Sequence, residues 1–113
     1  MIINTSKGKK LAGKSHILSS MLAKGVGLMF HKPIKDEGFV FVFDSLKKVN
    51  FHMLFVFFPI DMLFLDEKKR VVDIRRNVKP FTLNISSKAK YVIELPANST
   101  KNTDVGDIIR WDA

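Results

Sequence analysis

Apolar positions recur with a period of two in several separate stretches of the chain. In the most apolar run, residues 51–65, His52, Pro59 and Asp61 interrupt an otherwise hydrophobic sequence. That run is expected to form two buried strands, 51–58 and 60–66, divided at Pro59 because proline cannot donate to a ladder in mid-sheet. Upstream, Phe39, Phe41 and Phe43 alternate with Val40 and Val42, which predicts a strand covered on both faces. Residues 44–48 read as the turn that follows. Residues 66–70 read as a hairpin turn and 71–76 as the returning strand. There Val72, Ile74 and Arg76 alternate with Val71, Asp73 and Arg75, marking one wet side and a place near a sheet edge. Phe81, Leu83 and Ile85, then Tyr91, Ile93 and Leu95, predict two half-buried strands. Ile2 and Ile3 predict a short opening strand, 108–111 a closing one, and 99–103 a single turn of helix.

The period changes once. Ile17, Leu18, Met21 and Leu22 recur at helical spacing, Ser15 can cap the start, and Lys24 and Gly25 supply a basic last turn and a left-handed exit. One short helix is expected there. The fold class that results is mainly β: a small barrel or sandwich of about seven mostly antiparallel strands with one short N-terminal helix. At 113 residues and 46% apolar content, the chain suits a single domain, 1–113, with one core.

Charge changes the picture only locally. The net charge is +8, and residues 1–35 hold Lys7, Lys9, Lys10, Lys14, Lys24, Lys32 and Lys35 with no acid. The rest of the chain is nearly balanced. Residues 1–14 are therefore expected as a polar loop or flexible basic arm. Lys7, Lys9, Lys10 and Lys14 are candidate anion-binding residues, a general attractor with no aromatic platform for base stacking. The absence of cysteine excludes disulfides, thiolate metal sites and a cysteine nucleophile, and suits a cytoplasmic location. Residues 49–65 are long and apolar enough to suggest a membrane span. However, an uncompensated Asp61 near the bilayer centre would cost roughly 3 kcal/mol, so no membrane is expected among the partners.

Several motifs occur in order: Gly27-Leu28-Met29-Phe30, Phe41-Val42-Phe43, Pro59-Ile60-Asp61 with Phe64-Leu65-Asp66, Val71-Val72, Asn77, Pro80, Tyr91-Val92-Ile93-Glu94-Leu95-Pro96-Ala97, and Gly106-Asp107. In this the chain resembles the domain of unknown function 192 family over residues 26–110. The resemblance implies a small closed or nearly closed β structure with a helix, and no assigned activity. The chain departs from the family pattern at His52-Met53-Leu54-Phe55-Val56, where many members have a polar Trp-Met-Lys-Asn-Thr. It departs again at Lys69 and Asn98, where glycine is usual. Asparagine tolerates a left-handed backbone, whereas lysine at such a position costs roughly 1 kcal/mol.

Asp61 is the candidate of most interest. A buried carboxylate needs Arg75, Arg76, His52 or a run of backbone N–H groups to satisfy it. It either fixes the Pro59 turn or lines a pocket with Phe51, His52, Met29 and Asn77 as ligand-binding residues. His31 and His52, beside Met29 and Met53, have copper(I)-binding chemistry, but neighbours on a strand face opposite ways and methionine in a phenylalanine-rich core is ordinary filler. No metal or cofactor is expected. Asp61, Asp73 and Glu94 would form an acid pair only by an accident of folding, and the chain has no metalloprotease, P-loop, dinucleotide or nucleophile-elbow motif, so no catalytic residue is assigned. The expected function is binding of a small apolar or anionic ligand or a peptide beside Asp61. Weak RNA or anion binding through the N-terminal lysines is the alternative, and dimerisation through an edge strand a further one.

Overall fold

A computed structural model of the chain describes residues 1–19 and 32–112. The described residues form eight strands: β1 (Ile2–Asn4), β2 (Lys9–Ala12), β3 (Lys14–Leu18), β4 (Glu37–Phe51), β5 (Ile60–Leu65), β6 (Val71–Val78), β7 (Ile85–Pro96) and β8 (Ile109–Trp111). They form a five-stranded sheet of order β3-β4-β7-β5-β6 and a three-stranded sheet of order β2-β1-β8. The pairings within these sheets are antiparallel except β3 with β4. The architecture is thus mainly β and two-layered, with no closed barrel.

The large sheet is buried on both faces, which is why β5 is apolar at five of six positions and buried at all six. One face carries Phe39, Phe41, Met62, Phe64 and Val92, covered by Met53, Val56 and Phe58. The other carries Val40, Leu63, Leu65, Ile93 and Leu95 and packs on Ile2, Leu11, Ala12 and Ile109 of the small sheet. Gly38 lies where the two layers approach: a Cβ there would stand 2.5 Å from Ile2 Cδ1 and 2.8 Å from Leu95 Cδ2.

Several expectations require correction. Residues 15–18, expected to open a helix, belong to β3; pairing of His16 with Phe39 and Leu18 with Phe41 overrides the helical spacing. The remainder of that helix, with Met29 and His31, lies outside the described residues. The stretch read as a basic loop or arm contains β2, paired with β1. Residues 44–48 are not a turn; β4 runs through them, its register on β7 shifting between Val42 and Lys47 so that exposed polar residues bulge from the ladder. Residues 51–58 are not a strand. β4 ends at Phe51, and the chain then forms a loop that inserts Met53, Val56 and Phe58 into the core while Leu54, Phe55 and Phe57 stay exposed. Its backbone pairs with another loop, Met53 N–H donating to Thr82 O at 2.7 Å and Phe81 N–H to Met53 O at 2.8 Å. That other loop occupies the start of the strand expected from Phe81; the ladder begins at Ile85 and continues through Tyr91 as one strand. Residues 99–102 form turns rather than helix. The strand at 60–65, the hairpin after it and the edge position of β6 are as expected.

Candidate functional site

Alternation on β5 puts Ile60, Met62 and Phe64 on the phenylalanine-rich face and Asp61, Leu63 and Leu65 on the other. Asp61 is fully buried. Its Oδ1 accepts from Asn77 N–H at 2.9 Å, and its Oδ2 accepts from the N–H and hydroxyl of Thr100 at 3.1 and 2.6 Å. Asn77 has a left-handed backbone, φ 51°. Arg76 completes the clamp by donating to Thr100 O and Thr103 O. Asp61 therefore accepts backbone N–H groups, but the loop it fixes is the one after β7, not the Pro59 turn.

The residues expected around Asp61 do not converge. Asn77 meets it through its backbone. Phe51 lies on the opposite face, edge-to-face with Phe41, Phe43 and Phe64. His52 is exposed and uses Nδ1 to accept from Leu54 N–H at 3.1 Å. Asp73 pairs with Arg75 on that same phenylalanine-rich side.

The N-terminal lysines are likewise dispersed. Lys7 Nζ lies 2.7 Å from Asp104 Oδ2 and 2.8 Å from Asp107 Oδ2, and these hydrogen bonds, Asp104 first, raise its pKa. Burial would push the Asp107 carboxyl up, but donation by Asn4, Lys7 and the Asp104 N–H outweighs it and holds the group at about 2. Lys10 lies 3.8 Å from Asp36, while Lys9 and Lys14 are exposed. An open groove of about 580 Å³ at the β4 bulge has an apolar floor including Val42 and Val49 and a basic rim of Lys47, Lys48 and Lys90. Lys47 is held by Asp44 and Lys90 donates to the Asp44 carbonyl.

The most unusual group is one that the sequence offered only as a member of an improbable acid pair. Glu94, 4% exposed, stands on β7 directly between Phe39 of β4 and Met62 of β5. Its Oε1 is buried with no hydrogen-bond partner among the described residues. Burial pushes its carboxyl up to about 8, so at neutral pH it is largely protonated and both donates and accepts. Beyond Phe39, the His16 ring stacks on the phenylalanine with centroids 4.8 Å apart. The buried His16 Nε2 also has no hydrogen-bond partner among the described residues and lies 3.6 Å from Glu37 Oε1. His16, Phe39, Glu94 and Met62 thus form one row across four adjacent strands. Met62, Glu94 and Phe39 of that row are 0%, 4% and 8% exposed, so the neutral acid is enclosed by apolar side chains, an environment that suits an uncharged, mostly apolar group held through one or two buried hydrogen bonds. The signal was present in the sequence: on a strand with both faces buried, the acid alternating with Ile93 and Leu95 must also be inside.

Fold and site together define a small two-sheet β domain with a buried acid on its aromatic face. The chain belongs to the DUF192 family, uncharacterized ACR, whose profile matches residues 2–111. It is 34% identical over 114 residues to a UPF0127 protein of Pyrococcus abyssi, covering 98% of this chain and 97% of that one. It is 35% identical over 115 residues to a UPF0127 protein of Thermococcus kodakarensis, covering 98% and 73%. The crystal structure of a Novosphingobium aromaticivorans protein of unknown function matches with a TM-score of 0.80 at 22% identity, covering 86% of this chain and 74% of that one. A Sinorhizobium meliloti protein, described as a candidate transcription regulator, matches with a TM-score of 0.81 at 26% identity, covering 85% and 79%.

Proposed function

We propose that this domain is a cytoplasmic binding module that takes a small, largely apolar ligand, or an apolar peptide side chain, against the row formed by His16, Phe39, Glu94 and Met62. The observation that carries this reading is that Glu94 Oε1 has no partner among the described residues, because a buried polar atom left unsatisfied costs about 1–3 kcal/mol that a bound hydrogen-bonding group would recover. Asp61 and Asn77 act in this reading as supports of the 97–103 loop, and Phe51 as part of the aromatic face. Native mass spectrometry of protein purified without denaturant tests it: a co-purifying mass is expected for the wild type and for Glu94→Gln, whose amide still donates and accepts, and its loss for Glu94→Leu. A wild type with no bound mass, together with a Glu94→Leu variant that is simply more stable, would leave Glu94 as a core residue only.

A second reading, weak nucleic-acid binding through Lys9, Lys10 and Lys14, draws on the description of the Sinorhizobium meliloti protein and the basic net charge. Lys7 contributes little to it, being committed to Asp104 and Asp107. Fluorescence anisotropy with single-stranded RNA should then fall steeply with salt, and should vanish when the three lysines become glutamine.

A further inference from the structure

We infer that the phenylalanine-bearing loops 52–59 and 79–84 dock the protein onto an anionic lipid surface. Phe57 is 61% exposed, Leu83 54% and Phe81 44%, and the rings of Phe57 and Phe81 meet edge-to-face 5.3 Å apart. The core does not require these side chains, since Met53, Val56 and Phe58 of the same loop already fill it. Phe81 has φ 62°, a left-handed conformation that strains a bulky residue. The loops are nevertheless locked together through Met53, so the aromatic surface is presented on an ordered backbone.

Charge selects the partner. Residues 45–60 and 74–93, which comprise both loops and the adjoining lengths of β4, β6 and β7, contain seven lysines and arginines and no aspartate or glutamate. Of the acids just outside these segments, Asp44 and Asp73 are already bonded to Lys47 and Arg75, and Glu94 is buried and largely protonated. Lys48 and Lys88 stand opposite each other across β4 and β7, and neither they nor Lys79 has an acid within ion-pairing distance among the described residues. A second copy of the chain would bring like charges together around the apolar patch. A bilayer with anionic headgroups meets the lysines with negative charge and the phenylalanines with acyl chain just beneath, the arrangement of a protein that lies on a membrane. No helix among the described residues is long and apolar enough to cross one. The loops use residues other than the Glu94 row, so this inference stands or falls independently of the ligand reading.

Co-sedimentation of the full chain with vesicles tests the inference. Binding is expected to phosphatidylcholine vesicles containing about a third phosphatidylglycerol and not to pure phosphatidylcholine, and should weaken with added salt. Phe57→Ser should reduce binding about tenfold and Phe57→Ser with Phe81→Ser about a hundredfold. Replacing Lys48, Lys79 and Lys88 by glutamine should also cost about a hundredfold. Circular dichroism and thermal unfolding should confirm that Phe57→Ser leaves the fold intact. Failure to bind the anionic vesicles would overturn the inference, as would binding indifferent to Phe57→Ser, which is adhesion of a basic protein by charge alone. A concentration-dependent dimer abolished by Phe57→Ser, without vesicle binding, would reassign the patch to a protein interface.

Discussion

At the scale of single residues, Asp61 shows how an acid in an apolar strand is tolerated. All three of its hydrogen bonds are accepted, one on Oδ1 from Asn77 and two on Oδ2 from Thr100. Asparagine has one acceptor oxygen and one donating amide, so Asp61→Asn must turn an N–H donor toward another donor at one end. Both Asp61→Asn and Asp61→Ala are therefore expected to destabilise, the former by about 2–3 kcal/mol in urea unfolding, because buried donors lose their acceptor. An asparagine variant as stable as wild type would show that the carboxylate is not structural. The need for N–H partners was legible in the sequence. Their identity was not, since Thr100 lies 39 residues further on and only the β5–β7 pairing, Asp61 beside Leu95, brings it within reach.

At the scale of elements, the hairpin between β5 and β6 closes without the expected glycine. Asp66 Oδ1 accepts from the N–H groups of Lys68 and Arg70, both at 2.9 Å, and Lys69 takes the left-handed position at φ 63°. The strain is offset because Lys69 Nζ stands 4.4 Å from the centroid of the Trp111 ring, which itself packs edge-to-face on Tyr91. A cation–π contact of about 0.5–1 kcal/mol nearly balances the cost of a lysine at positive φ. Lys69→Gly should accordingly change stability by less than about 0.5 kcal/mol, yet stabilise by about 1 kcal/mol in a Trp111→Leu background. Equal effects in the two backgrounds would show that the ring contact contributes nothing.

The apolar run 60–65, bounded by Pro59 and a charged turn, and the alternating strand that starts at Val71 were legible for the same local reasons that make this hairpin work. The misread elements depended on distant partners. The run 51–58 has the composition of a strand, but its inward residues reach the core from a loop whose backbone bonds to Thr82 and Phe81. Ile17 and Leu18 have helical spacing until the parallel pairing with β4 claims them. Phe81 and Leu83 alternate like strand residues and instead face solvent.

For the whole molecule, the three-stranded sheet unites the two ends of the sequence, with Ile2 opposite Trp111, and buried charge on the two layers sets opposing pH limits. Asn4, fully buried, donates to Thr103 Oγ1 and Asp107 Oδ2, so the Asp107 carboxylate joins β1 to the loop before β8. Its pKa lies near 2, below the ordinary 3.8, so its contribution is complete above about pH 4 and is lost as pH falls through 2. Glu94 acts in the other direction. Its pKa is raised from 4.5 to about 8, so the folded state is favoured most below pH 4.5, and that advantage disappears as pH rises through 8. The change amounts to about 5 kcal/mol. These two groups together place the stability maximum near pH 4–5, lower than the neutral optimum common among proteins. Thermal unfolding of the wild type from pH 3 to 9 should show that maximum and a decline toward alkaline pH. Glu94→Gln should flatten the alkaline decline and raise stability at pH 9, while Asp107→Asn should flatten only the acid side. If the Glu94→Gln profile keeps the wild-type slope between pH 5 and 8, the carboxyl is ionised in the folded protein. The neutral hydrogen-bonding group on which the ligand site depends would then not exist.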